Sequence, residues 1–211
     1  MQKKVLLLTI ILVFFTGCTK IEKNNEDYSK YVVATLKEKN ITNNVALGYK
    51  YYLPRGVKKI KDYDYNQQFL INSTYLYMYV DINSYYYKSK LKKSDSLGYY
   101  YQKISYDGKT GYIEIIKDND VYYTKLLYNY AKIEFYSNYG DINKLLTISS
   151  IILNSIDYNK LVIEKVLDES LGSSKEFTYE LEKPIDASNN FSQYLEEYVK
   201  EDDKKEKLPD E

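Results

Sequence analysis

Residues 97–137, LGYYYQKISYDGKTGYIEIIKDNDVYYTKLLYNYAKIEFYS, alternate between strand-like and turn-like segments. Asp107-Gly108 is a dipeptide that two-residue hairpin turns favour, and residues 118–120 are typical of a second turn. The segments between these turns are rich in tyrosine and isoleucine, which suit the half-buried surface of a pleated strand. The pattern predicts an antiparallel meander with strands at Leu97–Tyr106, Gly111–Lys117, Val121–Tyr128 and Tyr130–Ser137.

The last of these segments indicates which side chains face the core. Successive side chains of a strand point to opposite faces of the sheet, so apolar residues at every second position mark the buried face. The inward set is Ala131, Ile133 and Phe135, and the outward set is Lys132, Glu134 and Tyr136.

A helix is predicted directly after the meander, over Asp141–Ile156. Asp141 is a suitable N-cap residue, and the apolar residues that follow repeat at the i, i+3, i+4, i+7 spacing of one helix face. An apolar face this broad needs a sheet to cover it. The sequence therefore predicts an α+β domain in which an antiparallel β-sheet carries the amphipathic helix 141–156 on one face.

The remaining segments extend this domain at both ends. Upstream of the meander, the patterns predict a helix at Tyr28–Lys39 and strands at Val45–Leu53, Gln67–Asn72 and Thr74–Ile82. A polar connection is expected at Val57–Asn66 and an irregular basic stretch at Ser84–Ser96. Downstream, Leu161–Leu167 fits either a strand or a short helix. A further strand and a final helix are predicted at Glu176–Leu181 and Phe191–Lys200.

The order of elements after Gly48 resembles that of the PsbP/Mog1/DcrB-like domains. The resembling pieces are the strand-like Gly48–Gly56, which ends in Leu-Pro-Arg-Gly, the meander, and the late helix that runs into Asn154-Ser155-Ile156. The resemblance implies an antiparallel sheet between helices, and several bacterial members of that group are lipoproteins. No functional residue is assigned from this resemblance, because the shared pieces are structural elements.

The N-terminal stretch Met1–Cys18 has the three parts of a secretory signal peptide. Lys3 and Lys4 precede an apolar run from Val5 to Phe15, which is too short to span a bilayer. The closing residues Phe-Thr-Gly-Cys resemble a bacterial lipobox, with Phe15 in place of the usual leucine. The resemblance implies that Cys18 is diacylated and that the segment before it is removed.

These features predict the domain organisation and the location of the chain. Residues 1–17 form a signal peptide, residues 18–27 a lipidated tether, residues 28–200 a single α+β domain and residues 201–211 a disordered charged tail. The expected location is the outer face of the bacterial cytoplasmic membrane, with the lipid on Cys18 as the membrane partner.

The composition restricts the chemistry. The 211-residue chain has no histidine and a single cysteine, Cys18. Histidine-based catalysis, cysteine nucleophiles and thiolate metal sites are therefore excluded, and no metal or other cofactor is expected. The formal net charge is zero, which argues against a nucleic-acid partner because such partners require a clustered basic surface.

The 28 tyrosines are the most unusual feature of the composition. A/T-rich coding bias and the fit of tyrosine to half-buried strands account for the excess without a function. The functional interpretation is an aromatic surface, and Tyr75, Tyr77 and Tyr79 provide the clearest row, because Leu76, Met78 and Val80 occupy the opposite face of their strand. Either loops or the first helix bury this row, or it forms a binding surface.

The function predicted from the sequence is that of a non-catalytic module that binds a protein or a glycan of the cell envelope. Two alternatives remain open. One is an envelope hydrolase or metal-assisted enzyme that uses carboxylates or a Ser–Lys pair, the only catalytic schemes that the composition allows. The other is a structural lipoprotein without a small ligand.

Overall fold

The structure is a computed structural model of the chain, and it describes residues 26–90, 98–168, 176 and 181–184. The expected signal peptide, Cys18, the final helix and the charged tail lie outside the described residues, as does most of the tether. The strand predicted at Glu176–Leu181 lies almost entirely outside them as well.

Ten strands are described, in two antiparallel sheets. The strands are β1 (Asn44–Ala46), β2 (Tyr49–Tyr51), β3 (Lys58–Tyr63), β4 (Asn66–Ile71), β5 (Thr74–Val80), β6 (Tyr100–Tyr106), β7 (Lys109–Asp118), β8 (Val121–Tyr128), β9 (Ala131–Ser137) and β10 (Asp157–Tyr158). A seven-stranded sheet has the order β3-β4-β5-β9-β8-β7-β6, and a three-stranded sheet has the order β1-β2-β10. The predicted meander is confirmed as strands β6 to β9.

The described residues also form four α-helices. The helix predicted after the meander packs on β8 and β9, and the first helix packs against it and against β6, so the α+β prediction is confirmed. None of the described helices is long and apolar enough to cross a membrane. The helices are α1 (Ser29–Leu36), α2 (Ile82–Tyr87), α3 (Ile142–Asn154) and α4 (Lys160–Asp168), with a 3-10 turn at Tyr139–Asp141 before α3.

The core lies between α3 and the sheet face that α3 covers. Ile133 and Phe135 of β9 and Leu146 and Ile152 of α3 are all completely buried. The burial of β9 alternates strictly along the strand, as its sequence predicts. The Asp107-Gly108 hairpin has the positive φ angles, 50° and 72°, that a tight turn of this kind requires.

The prediction of one strand over Val45–Leu53 is wrong. The segment forms part of the hairpin β1–β2, which turns at Leu47 and Gly48, and β2 also pairs with β10. Gly48 has a φ angle of +85°, a conformation that glycine adopts without steric cost. This turn ends the extended run, so β1 and β2 fold back on each other.

Three other expectations need correction. Val57–Asn66 contains the strand β3 rather than only a polar connection. The helix α2 begins at Ile82, which was predicted as the end of a strand, and includes residues 84–87 of the expected irregular stretch. Leu161–Leu167 lies in a helix, α4, which settles an alternative that the sequence left open. Asp141 stands at the N-cap of α3, but its side chain makes no capping hydrogen bond, because the preceding 3-10 turn holds it in a helical conformation.

Candidate functional site

The face of the seven-stranded sheet turned away from α3 is polar and aromatic, and it is called the polar face below. It is formed by every second residue of the central strands, as the strand pairing requires. Its residues are Tyr75, Tyr77 and Tyr79 on β5, Lys132, Glu134 and Tyr136 on β9, Tyr123, Lys125 and Leu127 on β8, and Tyr112, Glu114 and Ile116 on β7.

One row of directly paired residues crosses the polar face through all seven strands. Residues opposite each other on neighbouring antiparallel strands lie about 5 Å apart, so their side chains interact. Charges alternate in sign over the centre of this row, which is therefore electrostatically self-complementary. The row runs Lys61, Gln68, Tyr77, Glu134, Lys125, Glu114 and Tyr101.

Glu134 is the centre of an ion-pair network in this row. Its carboxylate accepts hydrogen bonds from the Tyr123 hydroxyl at 2.5 Å and from Lys132 Nζ at 2.8 Å. Lys125 Nζ lies 3.4 Å from Glu134 Oε1 and 3.7 Å from Glu114 Oε2. Burial favours the neutral acid, but Lys132, Tyr123 and Lys125 together outweigh burial and hold the pKa of Glu134 below its usual range. Glu134 is therefore ionised at neutral pH.

A cavity of about 480 Å³ opens over this network, near the end of the sheet where β8 turns into β9. Its wall combines aromatic rings with charged side chains, a composition suited to a ligand with both apolar and hydroxyl-bearing faces. The aromatic and charged residues of this wall include Tyr79, Tyr112, Tyr130, Lys125, Lys132, Asp81 and Glu176.

Residues 181–184 lie across another part of the polar face. Lys183 Nζ contacts Asp118 Oδ2 at 2.6 Å and sits 5.3 Å from the centre of the Tyr136 ring. The backbone of Glu182 forms a hydrogen bond with the Tyr77 hydroxyl. These contacts place the segment directly over the middle of β5 and β9, beside the cavity rather than in it.

The structure places the three tyrosines predicted as a binding surface in different environments. The Tyr77 side chain is only 5% exposed, whereas Tyr75 and Tyr79 are half-buried. The rings of Tyr75 and Tyr77 lie 6.5 Å apart, and Tyr79 lines the cavity. The structure therefore brings Tyr79 together with the network, and covers Tyr77 with residues 181–184. The binding role of the row stays a prediction.

The sequence reasoning missed Lys125, Glu114, Tyr112 and Tyr130 as members of this site. Lys132 and Glu134 were recognised as outward-facing, but the residue of β8 that lies opposite Glu134 depends on the register of the two strands. The signal for this register in the sequence is the length of the turn at residues 129–130. A two-residue turn fixes the register of the hairpin, and the register in turn pairs Lys125 with Glu134.

No group of three or more acidic, histidine or cysteine side chains that is arranged to hold a metal ion occurs in residues 26–90, 98–168, 176 and 181–184. No family model matches the chain, and no curated protein matches it. A crystal structure from Bacteroides thetaiotaomicron VPI-5482 is similar over 75% of this chain and 58% of its own length, with 10% sequence identity and a TM-score of 0.35. The resemblance to PsbP/Mog1/DcrB-like domains stays a prediction.

Proposed function

We propose that the chain is a lipid-anchored, non-catalytic binding protein on the outer face of a bacterial cytoplasmic membrane, and that its cavity on the polar face binds a glycan of the envelope. The lipid anchor and the location rest on the signal peptide and lipobox pattern that ends at Cys18. The binding function rests on one observation, the cavity of about 480 Å³ lined by tyrosines and paired charges.

The composition of the cavity supports a glycan more than a protein partner. Tyr79, Tyr112 and Tyr130 offer stiff, amphipathic rings that lose little conformational entropy when a ligand packs on them. The polar groups of Lys125 and Lys132 are held in place by their ion pairs, so they present donors in fixed positions. A concave site of this size suits a few sugar units, whereas protein interfaces are larger and flatter.

The electrostatics of the cavity support binding more than hydrolysis by paired carboxylates. A glycosidase-type general acid needs a carboxyl group whose pKa is raised, so that it carries a proton at neutral pH. Lysines and a tyrosine hold the pKa of Glu134 below its usual range instead. Glu134, which pairs with the two lysines of the cavity but does not itself line it, is thus suited to orienting those lysines rather than to donating a proton. The carboxylates that do line the cavity are also engaged, since Asp81 accepts hydrogen bonds from Ser84 and Glu176 contacts Lys132.

We expect Tyr79→Ala to abolish glycan binding while leaving the fold intact, because the ring lines the cavity and is only half-buried. Binding is measured with the full-length chain, in non-ionic detergent, on an array of envelope-type oligosaccharides. Tyr63→Ala is the matched control, since Tyr63 is 53% exposed and lies on the edge strand β3. Equal signals from wild type and Tyr79→Ala would exclude this cavity as the binding site.

The membrane anchor gives a separate prediction about Cys18. Two acyl chains on this residue stabilise membrane association by about 0.8 kcal/mol per buried methylene, and the leader is removed only after acylation. Cys18→Ala should therefore retain residues 1–17 and lose its lipid, which mass spectrometry and detergent-phase partitioning detect. Thr19→Ala should be processed normally. If Cys18→Ala fractionates and migrates like wild type, the chain is not a lipoprotein.

A further inference from the structure

A second cavity, of about 540 Å³, adjoins the first one at the same end of the sheet. The two cavities share Ser89, Lys90 and Tyr130 in their walls. Three turns meet there: the end of α2, the hairpin between β6 and β7, and the hairpin between β8 and β9. Asn129 N donates a hydrogen bond to Thr110 O at 3.2 Å, which ties the two hairpins together and gives the cavity a firm wall.

Lysines dominate the charge of this second cavity, which is called the lysine cleft below. Lys88, Lys90 and Lys109 line it, and Asp107 is the only carboxylate among its described lining residues. Within the described part of the chain, Lys90 and Lys109 have no ion-pair partner. The lysines of the first cavity differ, since Lys125 and Lys132 are paired with glutamates. A cluster of side chains with a net positive charge in a concave site attracts anions.

Lys88 is held in position by aromatic rings rather than by a carboxylate. It ends α2 in the left-handed conformation, with a φ angle of 53°. Its Nζ lies 4.0 Å from the centre of the Tyr85 ring and 5.7 Å from that of Tyr130. A ring face attracts the ammonium without neutralising it, so the full charge of Lys88 remains available to a ligand in the lysine cleft.

Tyr130 adopts a backbone conformation that its side chain disfavours. Its φ angle is 63°, at the second position of a two-residue hairpin turn where glycine is preferred. The neighbouring hairpin has Gly108 at the equivalent position. Tyr130 is the only aromatic residue with a positive φ angle in the described residues. Strain of this kind is concentrated at functional sites, and here it places one ring in the walls of both cavities.

We propose that the lysine cleft binds the anionic group, a phosphate or a carboxylate, of the same glycan whose sugar rings occupy the first cavity. This inference rests on the proposed function and specifies its ligand as an anionic glycan. Tyr130 stands between the two parts of the site, so a sugar packed on its ring extends from one cavity into the other. Lysine ammonium groups suit either oxyanion, because each acts as a mobile point charge with three donors.

The test compares three sets of immobilised oligosaccharides with a common length: neutral mannose oligomers, the same oligomers carrying a 6-phosphate, and galacturonate oligomers. The full-length chain in non-ionic detergent should bind at least one anionic set about tenfold more tightly than the neutral set. The preferred set identifies phosphate or carboxylate as the recognised group. Added salt should reduce this preference, because it screens charge interactions.

Substitutions then assign the preference to the lysine cleft. The double variant Lys88→Gln, Lys109→Gln should lose the preference for the anionic set and keep its binding to the neutral set, because both lysines line the lysine cleft and neither lines the first cavity. The double variant Lys50→Gln, Lys58→Gln removes the same charge from exposed lysines elsewhere and should retain the preference. Thermal melts of both variants report whether the fold is intact.

The outcomes separate this inference from the proposed function. Binding that is sensitive to Tyr79→Ala but equal for neutral and anionic sets would overturn the inference and leave the proposed function in place. An equal loss of preference in both lysine variants would also overturn it, because net charge alone would then explain the effect. Absence of binding to all three sets would overturn the inference and count against the proposed glycan ligand.

Discussion

Leu146→Asp is expected to lower the free energy of unfolding by more than about 4 kcal/mol, which is most of the stability of a domain at the lower end of the usual range of about 5–15 kcal/mol. Leu146 is completely buried in α3, which packs on β8 and β9. An aspartate at this position would place an unpaired carboxylate between the helix and the sheet. The desolvation of that group has no compensating partner among the apolar residues there.

The measurement for Leu146→Asp is urea denaturation followed by circular dichroism. Lys144→Asp is the control on the same helix, because Lys144 is exposed and its replacement changes helix propensity by a similar amount. The control should shift the free energy of unfolding by less than about 1 kcal/mol. A Leu146→Asp variant with a wild-type midpoint would mean that α3 does not cover the sheet.

A second large effect is expected at alkaline pH, where the buried tyrosines should unfold the protein. Burial raises the pKa of Tyr128 to about 12, and burial also raises the pKa values of Tyr49 and Tyr51. All three side chains are at most 1% exposed. In the unfolded chain a tyrosine has a pKa of about 10, so above that pH the unfolded state loses protons that the folded state retains.

The sign of this effect follows from linkage. These tyrosines do not change the free energy of unfolding below about pH 10. Above that pH each one lowers the free energy of unfolding by about 1.4 kcal/mol per pH unit until the pH reaches its folded-state pKa, which is about 12 for Tyr128. Exposed tyrosines contribute tyrosinate absorbance before unfolding, so only the last rise in this absorbance should coincide with the loss of the far-ultraviolet circular dichroism signal. Tyr128→Phe should reduce the slope of the free energy of unfolding against pH by the contribution of one tyrosine, about 1.4 kcal/mol per pH unit. Tyrosinate absorbance that rises fully before the secondary structure is lost would show that these hydroxyls are accessible in the folded state.

The parts of the fold that follow from local signals were predictable. The Asp107-Gly108 turn and the alternation in β9 define the meander, and the apolar stripe of α3 requires a sheet beneath it. The bounds of α3 differ from the predicted helix by only one or two residues at each end. In these elements the local preference of the chain and the burial pattern agree, so each signal is sufficient on its own.

The elements that were missed lack a burial pattern of their own. All six residues of β3 are exposed, so this edge strand shows no alternation of apolar and polar residues. The helix α2 contains three consecutive tyrosines, which are poor helix formers. Its start did carry a signal, because Asp81 accepts a hydrogen bond from Ser84 N as an N-cap.

The candidate site was only partly predictable, because its members come from turns and strands whose contacts depend on the register. Tyr79 was recognised from the alternation of β5, and Glu134 as an outward-facing residue. The lysine cleft was not recognised, since Lys88, Lys90 and Lys109 are separated in the chain and meet only where three turns converge. The conformation of Tyr130 contradicts its local preference, so no propensity argument predicts it.

The strand order of the seven-stranded sheet has a consequence for folding kinetics. Strands β3 to β5 and strands β6 to β9 each pair with their neighbours in the chain, and a single pairing, β5 with β9, joins the two groups. Val80 pairs with Ala131, so this pairing closes a loop of about 50 residues, whereas short turns close the others. The entropy cost of closure rises with loop length. The pairing of β5 with β9 is therefore expected to form more slowly than the pairings within each group, and the rate at which the whole sheet forms depends on it.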